Sequence, residues 1–286
     1  MKFRDFFSLT CVAVALVATP VFAQSAESSK LGDEKYEPRV GQSGKDVIWV
    51  PTNDAVADAM LKVAKVKPGD LVYDLGAGDG KIAIAAAKNF GATAVGIEYN
   101  KEMAELAKRN TERAGVADKV KIIHGDIFVE DFSKATVVTM YLLPDLNLKI
   151  RPTILKMAPG TRIVTNSFNM GDWEPDDTVG TGYAQGYFWV VPGNAAGKWV
   201  LTGMEGSQQP ATLELTQRYQ RVGGVLNVYG KTQPILGATL VGNRLKFTFL
   251  DHSNQSRIID ATLSGNELSG QVLENSALYN ITGTRN

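Results

Sequence analysis

The sequence predicts an α/β domain with a doubly wound, mostly parallel sheet, followed by a smaller antiparallel β domain. Between residues 46 and 192, short runs of β-branched residues alternate with stretches of helical spacing. After Pro192-Gly193 the pattern changes to short strands in which apolar and polar residues alternate. The first pattern is typical of a parallel sheet with helices on both faces, and the second of a small barrel or a sandwich.

The composition fits a globular chain without a strong electric field. Of the 286 residues, 44% are hydrophobic and 21% are charged, which is enough to bury the cores of two domains. Lys plus Arg and Asp plus Glu both number 30. This balance gives no reason to expect a nucleic acid as the partner. We expect a protein or small-molecule partner that is recognised locally, and the oligomeric state stays open.

The first segment, residues 1–23, has the layout of a secretory signal peptide. Lys2 and Arg4 precede an apolar stretch, which is followed by Pro20 and by small residues up to Ala23. The alternative is an uncleaved membrane anchor, but the stretch is slightly shorter than the roughly 20 residues of a membrane span, and Pro20 favours cleavage. We expect cleavage after Ala23, export with a periplasmic location, and no stable membrane insertion of the mature chain.

Residues 24–45 are polar, with glycine, serine and charged residues and little periodicity, and they predict a flexible arm. The single cysteine, Cys11, precedes the mature chain, so neither a disulfide nor a thiolate metal site is expected there. His124 and His252 have no partner at metal-ligand spacing, and we expect no metal. The folded part therefore comprises the α/β domain, residues 46–192, and the β domain, residues 193–286.

Periodicity places the elements of both domains. In the α/β domain it predicts helices at 54–65, 80–90, 101–114 and 146–157, and strands at 71–74, 94–98, 120–124, 136–141 and 162–165. In the β domain the predicted strands include 211–215, 244–250, 257–263 and 267–272. Gly242-Asn243 and Gly265-Asn266 lie where tight hairpin turns are needed between these strands.

The loop after the first strand carries the clearest signal for a ligand. Three alternate glycines, Gly76, Gly78 and Gly80, follow Asp74 and lead directly into a helical segment. Glycines let the backbone turn sharply and approach a ligand, and the helix that follows offers unpaired N–H groups. The alternative is a strand-to-helix turn that uses glycine only for its dihedral angles.

The spacing and the charge of this loop narrow the class of ligand. The third glycine comes one position too early for the dinucleotide fingerprint. The Asp74 carboxylate would repel a pyrophosphate, whereas it suits a ligand that carries an ammonium and a sulfonium group.

Two further acidic residues end the next two strands. Glu98 ends the second strand, where a carboxylate can accept hydrogen bonds from ribose hydroxyls. Asp126 ends the third strand and could receive an adenine amino group while Ile127 covers the ring. Each acid alone could be an ordinary strand-end residue. Because ligands of open α/β sheets bind at the ends of the strands, the joint placement of the three acids favours a nucleotide-type site.

Three segments resemble the first three cofactor motifs of class I S-adenosylmethionine-dependent methyltransferases, which have a Rossmann-like fold. They are Asp74-Leu75-Gly76-Ala77-Gly78-Asp79-Gly80, Gly96-Ile97-Glu98 and Gly125-Asp126-Ile127. Two more segments, Val50-Pro51-Thr52 and Tyr141-Leu142-Leu143-Pro144, narrow the resemblance. Together the five are similar to the branch that includes the lysine methyltransferases of the ATP synthase c-subunit and the adenine nucleotide translocator, and to exported bacterial proteins of similar layout. The resemblance covers residues 46–192 and is more specific for the cofactor than for the substrate.

The resemblance implies which residues bind the cofactor. Asp74 would orient the methionine ammonium of S-adenosylmethionine, Glu98 would bind the ribose, and Asp126 with Ile127 would bind adenine. The other implied cofactor contacts are Gly76, Ala77, Gly78, Gly80, Tyr99, Trp49, Pro51 and Thr52. The family places the segment around Trp49 over the cofactor, which makes Trp49 a candidate lid. Thr52 or Asn53 also suits the N-cap of the first helix.

The loop after the fourth strand supplies the implied catalytic residues. Tyr141 would accept or steer the proton of the nucleophile, and Pro144 would shape a narrow channel for an amine. The alternative is a solvent-exposed loop whose leucines only cover the core. A further segment, Met170-Gly171-Asp172-Trp173, could form another substrate wall or pack on the β domain.

The expected reaction is in-line methyl transfer to a nitrogen nucleophile, with a protein lysine as the leading candidate. A lysine amine would have to lose its proton on entering the site, helped by burial. One alternative is an exported protein that binds S-adenosylmethionine and transfers no methyl group. Another is a small-molecule methyltransferase.

Overall fold

The computed structural model describes residues 31–180, 185–204, 209–274 and 277–285. The predicted signal peptide therefore lies outside the described residues. In the described part of the chain, no helix is both long enough and apolar enough to cross a membrane.

The N-terminal part of the described chain is built on a seven-stranded sheet with helices. Its helices are α1 (Asp54–Val63), α2 (Lys81–Phe90), α3 (Lys101–Arg113) and α4 (Pro144–Ile154). Its strands are β1 (Leu71–Leu75), β2 (Thr93–Glu98), β3 (Val120–His124), β4 (Val137–Met140), β5 (Arg162–Asn166), β6 (Asp177–Gly180) and β7 (Gln185–Val190).

The strand order of this sheet is β3-β2-β1-β4-β5-β7-β6. Strands β1 to β5 run parallel, whereas β7 pairs antiparallel with β5 and β6 pairs antiparallel with β7. The sheet is therefore mixed and mostly parallel, and the predicted fold class is confirmed. Because β1 has β2 on one side and β4 on the other, its carboxyl end is a topological switch point, where open α/β sheets bind ligands.

Local sequence explains where the elements begin. The Asn53 side chain accepts a hydrogen bond from the Ala55 N–H and caps α1, so Asn53 and not Thr52 takes the capping role. Pro144 occupies the first turn of α4, where its missing N–H costs nothing. Strands β1 and β4 are almost wholly apolar because both faces of the sheet are covered, and Asp74 and Thr139 are the buried polar exceptions.

The C-terminal part forms a nine-stranded antiparallel sheet that is nearly closed into a barrel. Its strands are β8 (Gly197–Thr202), β9 (Ala211–Arg218), β10 (Arg221–Val228), β11 (Lys231–Pro234), β12 (Leu236–Val241), β13 (Arg244–Leu250), β14 (Ser256–Ser264), β15 (Glu267–Glu274) and β16 (Ala277–Arg285). Turns at Gly242-Asn243 and Gly265-Asn266 join β12 to β13 and β14 to β15, at the predicted positions. Trp199, Phe247 and Phe249 fill the interior.

One side-chain bridge helps to join the two ends of this sheet. The Gln233 amide donates to the Leu250 carbonyl and accepts from the Leu250 N–H, both at 2.7 Å, and so links β11 to β13. Strand β10 also lies against β12. These contacts occupy backbone groups that an open edge strand would expose.

Residues 33–52, named the strap here, lie against the α/β domain. The Asp33 carboxylate accepts hydrogen bonds from Arg109 and Arg113 of α3, at 2.6 and 3.1 Å. Backbone hydrogen bonds join Gly41 and Gln42 to Trp49 and fold the strap on itself. The polar composition predicts a flexible arm over residues 24–45, and residues 33–45 of this segment belong to the strap and make these contacts. The anchoring ion pairs join residues far apart in the chain, so local periodicity does not reveal them.

Candidate functional site

A cavity of about 240 Å³ opens at the carboxyl ends of β1, β2 and β4. The glycine loop forms its floor, and the strap covers one side. The segment after β4 and the side chain of Phe168 form another wall. The cavity wall includes these residues predicted for the site: Trp49, Pro51, Thr52, Asp74, Gly76, Ala77, Gly78, Glu98 and Tyr141. It does not include Gly80, Tyr99, Asp126, Ile127 and Pro144.

The backbone of the glycine loop has the conformation that glycine favours. Gly76, Gly78 and Gly80 have φ angles of +81°, +56° and +84°, which a residue with a Cβ atom rarely adopts. The loop also allows close approach, since a Cβ atom at Gly78 would lie 2.7 Å from Nε1 of Trp49. Gly80 has a different role, because its missing Cβ lets α2 approach Ala107 of α3.

Asp74 lines the cavity and is 2% exposed. The pKa of Asp74 is raised to about 7, mainly because the carboxyl group is buried; the hydrogen bond from the Thr139 hydroxyl opposes this rise, and the negative charges of Asp79 and Glu98 add to it. That hydrogen bond joins Thr139 Oγ1 to Asp74 Oδ1 over 2.7 Å. Thr139 is not among the residues predicted for the site, although a lone hydroxyl in an apolar strand is a visible signal.

Glu98 links the second strand to the glycine loop. Its Oε2 accepts the Gly78 N–H at 2.9 Å, and its Oε1 accepts the Asn100 N–H at 2.8 Å. Burial raises the pKa of Glu98, while the hydrogen bonds from the backbone N–H groups oppose this rise. Because each carboxylate oxygen has a second lone pair, Glu98 can still accept hydroxyl donors from a ligand.

The strap separates Asp126 from the cavity. The Lys45 ammonium lies 2.6 Å from Asp126 Oδ2, and the Phe128 N–H donates to Oδ1. The Lys45 ion pair is the main reason that the pKa of Asp126 is lowered. Lys45 also lies 4.9 Å from the ring centroid of Tyr99, which is half exposed. Gln42, Ser43 and Gly44 of the strap line the cavity, although their composition predicts a flexible arm.

Tyr141 and Phe168 form an aromatic wall of the cavity. The rings of Tyr141 and Phe168 stack with centroids 6.5 Å apart and an interplanar angle of 28°. The Asn147 amide of α4 donates to the Phe168 and Asn169 carbonyls and so holds the loop that carries Phe168. Next to it, Ser167 has a φ of +65°, a conformation that costs free energy for a residue with a side chain. The surrounding contacts must therefore maintain the conformation of this loop.

The end of the same loop packs on the β domain. Of the two alternatives for Met170 to Trp173, a substrate wall or packing on the β domain, the structure therefore shows the packing. Trp173 is fully buried, and its indole N–H donates to Gln220 Oε1 at 3.0 Å. The Tyr219 ring lies 5.9 Å from Trp173, and Tyr219 has a left-handed φ of +54°. Arg218 and Arg151 both bind Asp172. The turn between β9 and β10 therefore braces the loop that forms the aromatic wall.

Comparison with known proteins identifies the family. A family model described as the ANTKMT methyltransferase domain matches residues 74–177. A protein-lysine N-methyltransferase from Saccharolobus islandicus is 44% identical over 135 residues, which are 46% of this chain and 84% of that protein. The chain belongs to this family of S-adenosylmethionine-dependent methyltransferases.

Two further relatives support the assignment. The mouse lysine N-methyltransferase of the ATP synthase c-subunit is 30% identical over 135 residues, and the match spans 54% of its length. The crystal structure of an RNA methyltransferase from Salinibacter ruber, in complex with S-adenosyl-L-homocysteine, superposes with a TM-score of 0.50 and 46% identity. That match covers 51% of this chain and 95% of the Salinibacter chain.

The cavity of this methyltransferase fits S-adenosylmethionine, the cofactor of the family. The glycine loop presents the backbone of Gly76 and Gly78 to the cavity, because neither residue has a side chain to cover it. Asp74, Asp79 and Glu98 all line the cavity, and burial raises the pKa of each. A cationic ligand relieves the unfavourable burial of these carboxylates, since it supplies the opposite charge. Among the described residues, no cluster of three or more acidic, histidine or cysteine side chains could hold a metal ion.

Proposed function

We propose that this methyltransferase transfers a methyl group to the side-chain amine of a lysine in a protein. The observation that carries the proposal is the cavity itself, which brings together in its lining the buried Asp74 carboxylate and the stacked aromatic rings of Tyr141 and Phe168. The carboxylate side suits the cationic end of the cofactor, and the aromatic side suits the aliphatic stem of a lysine.

We assign the cofactor contacts from the position of each residue in the cavity. Asp74 accepts the methionine ammonium, the backbone from Gly76 to Gly78 packs against the cofactor, and Glu98 accepts the ribose hydroxyls through its remaining lone pairs. Trp49, with Pro51 and Thr52 of the strap, covers the cofactor and excludes water.

The adenine end needs a rearrangement of one ion pair. For Asp126 to accept the adenine amino group, its Oδ2 atom must be shared with Lys45 or released by it. Ile127 follows Asp126 in the chain, and Tyr99 is linked to Asp126 through Lys45, which contacts both residues. We therefore assign Ile127 and Tyr99 to the adenine side of the site.

Methyl transfer places few demands on acid–base groups of the chain. When bound, S-adenosylmethionine would supply a methyl group on its sulfonium, which a neutral amine could accept without help from an acid or a metal. The chain orients the amine between Tyr141 and Phe168 and removes water from the cavity. A lysine amine has a solution pKa of about 10.4, and burial in this apolar surrounding lowers it and favours the neutral, reactive form. The Tyr141 hydroxyl steers the leaving proton, and Pro144 shapes the entrance only indirectly, by starting α4.

The names of the relatives support a lysine acceptor and leave RNA as the competing acceptor. The Saccharolobus and mouse proteins are named for lysine methylation, whereas the Salinibacter protein is named for RNA. The equal numbers of acidic and basic residues favour protein, because RNA-binding surfaces neutralise phosphates with an excess of Lys and Arg.

A labelling experiment distinguishes the acceptor classes. The chain from Gln24 onward is incubated with methyl-labelled S-adenosylmethionine and an envelope protein extract, with and without ribonuclease. We expect label in methyllysine after complete acid hydrolysis, unaffected by ribonuclease and absent with an Asp74→Asn variant. Label that ribonuclease releases would assign RNA as the acceptor, and label in a small molecule would assign that class. Cofactor binding without any transfer would instead support a binding protein.

We also propose that the protein works after export, in the periplasm. The proposal rests on the basic, apolar and small-residue order of residues 1–23. Mass spectrometry of the protein from a periplasmic extract should give an N-terminus at Gln24. A full-length chain that remains in the cytoplasmic fraction would refute this location.

A further inference from the structure

Thr139 is a buried polar residue that lies behind the cavity wall and contacts Asp74, which is part of that wall. It lies on β4 directly beside Asp74 of β1, since the two are paired in the parallel register of these strands. Its side chain is fully buried, and its hydroxyl donates to Asp74 Oδ1 at 2.7 Å. Its neighbours Val138 and Met140 are both apolar and fully buried. A threonine at this place therefore needs an explanation other than core packing.

Packing alone would favour valine over threonine at this position. Valine has nearly the same shape as threonine, and it would avoid the cost of removing a hydroxyl from water. The hydroxyl offsets this cost only through its partner, because a hydrogen bond to a charged group is stronger than one to a neutral group. The partner here is Asp74, the proposed acceptor of the cofactor ammonium.

We propose that Thr139 is a positioning residue for the cofactor: its hydroxyl fixes one Asp74 oxygen and stabilises the charged carboxylate that receives the ammonium. The inference rests on the proposed role of Asp74. The groups that act on this carboxylate come from three elements around the cavity. Asp79 of the glycine loop and Glu98 of β2 both oppose its ionisation, while Thr139 of β4 favours it. Thr139 thus offsets the repulsion between the carboxylates until the ligand brings its positive charge.

The pH dependence of ligand binding reports this role. The ammonium binds the ionised carboxylate, so the affinity should rise with pH as Asp74, whose pKa is raised to about 7, loses its proton. The affinity should fall again at higher pH, when the ligand's own α-amino group loses its proton. Without the Thr139 hydroxyl, the pKa of Asp74 rises further. In a plot of affinity against pH, the rising limb then moves to higher pH while the falling limb stays in place. The maximum affinity therefore decreases.

The test is calorimetric titration of the mature chain with S-adenosylhomocysteine, which carries the ammonium, between pH 5.5 and 9. For Thr139→Val we expect roughly tenfold weaker binding at pH 7 and the displaced rising limb. Thr139→Ser keeps the hydroxyl and should restore both the affinity and the pH profile. As a second ligand, 5′-methylthioadenosine has the nucleoside without the ammonium, and Thr139→Val should bind it as the wild type does.

Three results would overturn the inference. The first is an unchanged pH profile for Thr139→Val. The second is an equal loss of affinity for both ligands in Thr139→Val, which would make Thr139 a packing residue only. The third is wild-type affinity for S-adenosylhomocysteine in Asp74→Asn. None of these measurements uses a methyl acceptor. A failure here is therefore distinct from a failure of the proposed lysine methylation, which the labelling experiment detects.

Discussion

The contact between Trp49 and Gly78 predicts that these two residues act together on cofactor affinity. A Cβ atom at Gly78 would lie 2.7 Å from Nε1 and 3.2 Å from Cδ1 of the indole. Real Cβ atoms essentially never come closer than 3.0 Å to another heavy atom. A Gly78→Ala substitution must therefore move the indole, and the strap with it, away from the glycine loop. We expect weaker cofactor binding as a result.

The size of the effect follows from two separate costs. At Gly78 φ is +56°, and an alanine in this left-handed region costs about 1–2 kcal/mol in the free energy of unfolding. The displaced indole costs binding free energy instead, and an aromatic side chain that covers a nucleoside contributes about 1–3 kcal/mol. Gly78→Ala and Trp49→Ala should thus each weaken S-adenosylhomocysteine binding by roughly 5- to 150-fold. Because both substitutions act through the indole, the double variant should bind the ligand no more weakly than the single variant with the lower affinity.

Calorimetric titration of the wild type, the two single variants and the double variant with S-adenosylhomocysteine gives the four affinities of a double-mutant cycle. Gly115→Ala is the matched control, since Gly115 has a φ of +70° and no atom lies within 4 Å of its Cβ position. It should lose stability in a similar way and bind the ligand normally. Additive losses in the cycle, or unchanged affinity for Trp49→Ala, would refute the role of Trp49 as a lid.

Two further predictions concern stability. Gln220→Ala removes the acceptor of the buried Trp173 indole N–H. Urea titration should show a loss of about 1–3 kcal/mol in the free energy of unfolding. An unchanged midpoint would show that this hydrogen bond does not brace the loop. Asp251→Asn leaves the buried Arg257 without its carboxylate partner, and we expect a lower melting temperature at pH 7. Backbone N–H groups lower the pKa of Asp251, so its contribution exists above the unfolded-state pKa and disappears as the pH falls. The melting temperatures of the wild type and Asp251→Asn should therefore converge in acid, and a constant difference would contradict this account.

The cofactor half of the site is largely predictable from the sequence because its signals are local. The glycine spacing after Asp74 requires left-handed backbone angles, and the structure has them at Gly76, Gly78 and Gly80. Glu98 is predicted from its place at the end of a strand, which parallel pairing brings to the edge where β1 ends. Such signals depend on a few neighbouring residues, and the fold class follows from the same short-range periodicity.

Other parts depend on contacts that local patterns do not contain. The strap lacks apolar periodicity and is anchored by Asp33 to Arg109, 76 positions further along the chain. Strands β6 and β7 were not predicted. β6 has only one partly buried position, and its pairing with β7 rather than its own composition makes it a strand. Thr139 carries a visible signal, but only the register between β1 and β4 shows that its partner is Asp74.

The two walls of the cavity are therefore built in different ways. The wall that faces the cofactor consists of strand ends and a glycine loop, which the central sheet holds by backbone pairing. The wall that we propose for the acceptor consists of Tyr141 and Phe168, and the loop that carries Phe168 contains the left-handed Ser167 and ends at Trp173. Asn147 secures one end of that loop, and Gln220 in the turn between β9 and β10 secures the other. The β domain thus braces the Phe168 loop without contributing a residue to the described cavity wall.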